Sequence, residues 1–213
     1  MVYPDKVKSY GEQISRGYKG IVVSGVVTNW HEHARSANNE VLTEYDLLVN
    51  KQLTYKSNQN LEGTTIKVLH PGGYTTVGEQ MDVMPEKSFA PKPQLTEAER
   101  QKVTFVESIS EPLPRIGDQI FVALVPNERE ANLDFYNKGI FSKTDTFSLA
   151  AGANCYFFFN EKTGKYESKV IDPQSGQLKA NDLSVGEETT YKNAQRAMLD
   201  DVNQNYQETS VSE

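Results

Sequence analysis

The feature that most limits the fold of this chain is a succession of strand-like runs separated by turn signals. Ile21-Val22-Val23-Ser24-Gly25-Val26-Val27-Thr28 is β-branched and nearly all apolar, as a central strand buried on both faces must be. Gly25 within it points to a bulge or to the close approach of another backbone. In the next run, Val41, Thr43, Tyr45, Leu47 and Val49 share one face, while Leu42, Glu44, Asp46 and Leu48 share a partly solvated one. The run 64–70 sets Ile66, Val68 and His70 against Thr65, Lys67 and Leu69, and Pro71-Gly72-Gly73 stops it. Gly117-Asp118 opens a strand over 119–125. Asn154 to Phe159 reads as a buried strand, and Asn160-Glu161-Lys162-Thr163-Gly164-Lys165 as the hairpin turn to a partner over 166–171, with Gly164 at the position needing φ > 0. Strands of this number and spacing predict an antiparallel barrel of five or six strands, an arrangement that removes exposed edges.

Helical spacing occurs at both ends. Val7, Tyr10, Ile14 and Tyr18 predict a short helix over 5–18, and Tyr191, Ala194, Met198 and Val202 a longer one over about 187–204, preceded by a capping-box pattern at Ser184-Val185-Gly186-Glu187. The expected organisation is an N-terminal helical segment 1–20, a barrel domain 21–171, and a linker with a C-terminal helix 172–213. A long connection at 74–102, carrying Pro85, Pro91 and Pro93, is expected to cross one rim of the barrel. Within and after it, Met81 to Met84 reads as a short strand, Thr96 to Arg100 as a helical turn, and Val103 to Ile109 as a strand. Residues 29–39 read as a polar loop.

The formal net charge of −7 opposes binding to phosphate backbones, so nucleic acid is not expected as a partner. Cys155 is the single cysteine, which rules out an intramolecular disulfide and reads as a small buried hydrophobe. No stretch has the ~20 apolar residues of a transmembrane helix. The start of the chain has no apolar signal core, which fits a cytoplasmic protein or one whose signal or anchor has been removed.

No phosphate-binding glycine loop, nucleophile elbow, zinc-protease helix or paired-cysteine motif occurs, and no cofactor and no catalytic residue is expected. Two constellations remain. Trp30, Tyr74, Phe135 and Tyr136 fall in loops around one barrel rim and are the aromatic anchors expected to bind a partner. His31 and His33 form a His-x-His pair in Trp30-His31-Glu32-His33, and an extended backbone would point both the same way; with His70 at the end of another strand they could form a metal site. Trp30→Ala is expected to leave folding nearly intact and to weaken partner binding.

The order of the strand motifs resembles a group of bacterial secreted or lipid-anchored proteins whose barrel is similar to the OB-type module of netrins and tissue inhibitors of metalloproteinases. The residues carrying it are Val22 to Val27, Tyr45 to Val49, Lys56 with Gly63, Ile66 to Gly73, and Gly117 to Leu124, with 152–168 as the closing hairpin. The resemblance implies a mainly β, OB-like barrel with a short N-terminal and a longer C-terminal helix. Those inhibitors place an N-terminal cysteine on a protease zinc, and no cysteine stands at this N-terminus, so that activity is not carried over. It implies a non-enzymatic binding or interaction module of the cell envelope, secreted or held at the surface as a lipoprotein, taking a protein or envelope ligand. The other readings are a metal-binding protein or metal-dependent hydrolase using His31, His33 and His70, and an intracellular regulatory domain.

Overall fold

The computed structural model describes residues 20–35, 40–52, 60–84, 91–127, 146–150, 156–183 and 190–205, with the backbone path alone for 32–35, 190, 191, 194 and 205. The chain is mainly β, and its centre is a closed five-stranded barrel with further strands attached. The barrel strands are β1 (Ile21–Arg35), β2 (Val41–Gln52), β3 (Thr65–Pro71), β6 (Gln119–Pro126) and β7 (Thr146–Leu149). They pair in the ring β1-β2-β3-β7-β6 and back to β1.

All neighbours in this ring run antiparallel except β3 and β7, which are parallel. The expectation of a wholly antiparallel barrel is therefore corrected, and the reason is parity. Directions that alternate around a closed ring of five must repeat once, so one pair has to be parallel. The pair falls at β3 and β7, two strands joined through a long stretch of chain rather than by a tight turn.

β1 is also longer than its apolar run. The segment 29–35, expected as a loop, continues the strand and pairs with β2 as far as Arg35↔Val41. Three register shifts, at Ser24/Gly25, Val27/Asn29 and Trp30/His33, let one strand curl around so much of the barrel. At the first shift Gly25 lies so close to β2 that an added Cβ would stand 2.4 Å from the carbonyl oxygen of Leu48.

The inward sets of β2 and β3 are buried as expected, but Leu42, Glu44 and Leu69 of the opposite sets are buried too. Tyr45, Leu47, Val49, Ile66 and Val68 fill the interior with Val23, Val27, Ile120, Val122 and Leu124. Thr43 and His70, paired across the two strands, are buried on the same inner faces. β6 is buried on both sides, which accounts for its unbroken apolar run. Phe121, Ala123 and Val125 face a second core outside the barrel, made with Val22, Phe157, Tyr166, Met198 and Val202.

That outer core is built by the hairpin β8 (Tyr156–Asn160) and β9 (Lys165–Glu167), which extends the sheet from β6, and by the C-terminal helix (Thr190–Asn205). The hairpin turns at Gly164 with φ 64°, as its sequence requires. The helix docks on its own barrel through Met198 and Val202, one turn apart. Asn203 accepts a hydrogen bond from the Tyr166 amide at 2.7 Å and donates to the Tyr166 carbonyl at 2.9 Å, tying the helix to the backbone of β9. A small hairpin follows β9, formed by β10 (Lys169–Ile171) and β11 (Leu178–Ala180). The predicted N-terminal helix, Ser184 to Glu187 and Cys155 lie outside the described residues.

The connection between β3 and β6 folds into defined elements. β4 (Gly73–Thr76) pairs with β5 (Val103–Val106), and two short helices, α1 (Val77–Val83) and α2 (Glu97–Arg100), lie between them in the chain. Each helix opens on a capping box, Thr76 with Glu79 and Thr96 with Glu99. The stretch Met81 to Met84, expected as a short strand, is thus the last turn of α1 and its cap: the Thr76 hydroxyl accepts from the Glu79 amide, and the Glu79 carboxylate accepts from the Thr76 amide. Arg100 joins the helices by an ion pair to Asp82 at 2.6 Å.

Candidate functional site

The β4–β5 ribbon and the loop 107–118 build an aromatic shelf at one edge of the barrel. Tyr74 and Phe105 are cross-strand partners, their ring centres 4.9 Å apart. Phe105 lies parallel to Trp30 of β1 at 6.1 Å. The structure therefore gathers two of the four expected aromatic anchors, Trp30 and Tyr74, around a third ring, Phe105, which was not among them. Phe135 and Tyr136 lie outside the described residues. Tyr74 is 50 % exposed and Val103, two residues before Phe105, is 70 % exposed. Ile116 adds another exposed apolar side chain on the loop.

Arg115 holds the shelf together. Its guanidinium carbon lies 5.6 Å from the Trp30 ring centre and 5.0 Å from that of Phe105, within cation–π range of both. The same group donates to Glu107 at 2.7 Å and to the Leu113 carbonyl at 2.8 Å. Glu107 accepts in turn from the Leu113 amide at 3.0 Å. Leu113 is fully buried and packs into the barrel core, so the loop closes that part of the barrel like a stopper. Trp30 takes part in this closure by donating from Nε1 to the Pro114 carbonyl at 2.9 Å.

Trp30 is thus a structural member as well as a shelf residue, and the expectation that its removal leaves folding nearly intact is revised. Its ring packs on the interior cluster and its nitrogen has a fixed partner, so truncation leaves both a gap and an unpaired carbonyl. Tyr74 is the residue that presents its ring to solvent. Arg115→Ala is expected to destabilise the fold by about 2 kcal/mol, less than a fully buried pair because the side chain is 38 % exposed. Urea unfolding checks this, and Glu107→Gln in the Arg115→Ala background is expected to recover part of the loss by removing the stranded carboxylate.

His31 and His70 are not brought together. His31 pairs with Asp46 at 2.7 Å, and Asp46 is on the outward set of β2. His70 is fully buried, its ring 6.2 Å from Tyr45 and 5.3 Å from Tyr156. His33 is on β1, and its side chain lies outside the described residues. Among the described residues no group of three His, Cys, Asp or Glu is placed to hold a metal ion. Glu44, the neighbour of Asp46 on the outward face, is already bound to Lys67 at 2.6 Å.

Two groups, Glu111 within the stopper loop and His70 against it, have displaced protonation equilibria. Burial, aided by the charge of Arg115, lowers His70 to about 4, against a hydrogen bond with the Glu111 carbonyl that acts the other way. Burial, with the nearby Glu40 carboxylate, pushes Glu111 up to about 7.

Comparison with protein-family models, with curated proteins and with solved structures finds no match to this chain. Among the described residues no helix is long and apolar enough to cross a membrane.

Proposed function

We propose that the protein is a non-enzymatic binding module of the bacterial cell envelope, in which an OB-like barrel presents the Tyr74 shelf to a protein or envelope ligand. The observation that carries the reading is the convergence of Trp30, Phe105 and Tyr74 on one edge, with Tyr74 and Val103 open to solvent. Aromatic rings on a rigid support are the usual centres of binding energy, because they bury large area at low conformational cost. The ring order, with one parallel pair between the third and fifth barrel strands, supports the OB-like reading. The strand motifs that resemble secreted and lipid-anchored bacterial barrels support the envelope setting.

Tyr74→Ala tests the shelf. Its half-exposed ring is expected to cost less than about 1 kcal/mol in unfolding free energy, while retention of an envelope fraction on the immobilised protein falls at least tenfold. Equal retention by the variant would remove the shelf from the contact. Fractionating cells that express the complete native gene, and sequencing the mature N-terminus, tests the setting. An unprocessed product in the cytosol would overturn it.

A further inference from the structure

We infer that the barrel interior contains a binding position for one water molecule, bridging Nδ1 of His70 and the hydroxyl of Tyr156. His70 Nε2 faces the carbonyl oxygen of Glu111 at 3.4 Å. A carbonyl only accepts, so Nε2 carries the ring proton. Burial keeps the ring neutral at ordinary pH, and Nδ1 is then a lone pair in search of a donor. That atom is buried and has no hydrogen-bond partner. The Tyr156 hydroxyl is buried and unpartnered as well, although its ring meets the imidazole edge-on with centres 5.3 Å apart. The two polar atoms lie on adjoining rings and do not bond to each other.

An unpaired buried polar group keeps its full desolvation penalty, and buried polar groups in folded proteins are nearly always satisfied by protein or by ordered water. The chemistry of the pair selects the occupant. It must donate to Nδ1, which excludes an anion lacking a proton. The Tyr156 hydroxyl is held protonated by burial, so it also offers no anionic oxygen to a cation. A neutral molecule with both a proton to give and a lone pair to accept meets both demands, and water is the smallest of that kind.

A high-resolution crystal structure of the full chain tests this directly. The expected result is a density peak within hydrogen-bonding distance of both His70 Nδ1 and the Tyr156 oxygen. A dry position, or the two atoms bonded to each other or to other protein groups, would overturn the assignment. Nitrogen NMR of His70 in Tyr156→Phe gives a second reading that does not depend on crystals. Loss of the bridge is expected to move the Nδ1 resonance toward that of an unbonded imidazole nitrogen, with Nε2 little changed. An unmoved Nδ1 resonance in a variant with native near-ultraviolet circular dichroism would count against the bridge.

Discussion

Gly25→Ala is expected to lower the unfolding free energy by about 3 kcal/mol, at the upper end of what overpacking a well-filled interior costs. The cause is steric and local. An alanine Cβ would meet the Leu48 carbonyl oxygen at 2.4 Å and the Leu47 side chain at 3.1 Å. A side chain can rotate away, but the carbonyl is part of the β1–β2 ladder and moves only if the strands part. The register shift between Ser24 and Gly25 is where β1 bends to meet both β2 and β6, so parting them there opens the barrel seam. Gly164→Ala is the comparison. That residue has φ 64° and open space around its Cβ position, so its cost is dihedral only, about 1 kcal/mol. Urea unfolding of both variants separates the two effects. Equal losses would show that the contact at Gly25 relaxes freely.

This close approach was legible in the sequence because a glycine in the middle of a β-branched run has few other uses. The two-faced pattern of 41–49 was equally plain, since a half-buried strand writes its environment at every second residue. Other parts carried no such signature. Residues 29–35 pair along a bulged strand, and bulges break the alternation that marks strands, so Asn29 to Arg35 reads as a polar loop. The helix at Val77–Val83 was obscured by its apolar end at Met81 to Met84, although the Thr76-x-x-Glu79 capping box was there to be read. The parallel β3–β7 pair needed no residue signal at all: closure of five strands demands it.

The shelf was half legible for a related reason. Large aromatics near strand ends can be picked out one by one, which brought in Trp30 and Tyr74. What joins them is non-local. Phe105 reaches Tyr74 through a ribbon closed across the excursion. Arg115 gains its role only when loop 107–118 folds back over Trp30. No spacing rule links residues 30, 74, 105 and 115, because their proximity is set by the path of the backbone around the barrel rim.

The pH dependence of stability carries a second large effect, in which two groups oppose each other. His70 titrates near 6.5 when unfolded and at about 4 in the fold. Its folded value is depressed, so the folded state binds fewer protons, and its contribution is complete above pH 6.5 and lost as pH falls toward 4. At 1.36 kcal/mol per unit, the loss is about 3 kcal/mol. Glu111 shows the reverse. Its folded value, about 7, is raised above the unfolded 4.5, so its contribution is complete below pH 4.5 and lost as pH rises through 7. Partial solvent contact reduces the size of that change to about 2 kcal/mol. Between pH 4.5 and 6.5 the two slopes have opposite signs and largely cancel in the wild type. Glu111→Gln keeps a neutral side chain at every pH and removes one of them. The variant is therefore expected to gain stability relative to the wild type as pH rises from 4.5 to 7, and to show the uncompensated His70 slope below 6.5. Urea midpoints across this range, taken as differences between the two proteins so that the remaining carboxylates cancel, measure it. Parallel profiles would mean that the Glu111 carboxyl is solvated in the folded protein and that burial does not hold its proton.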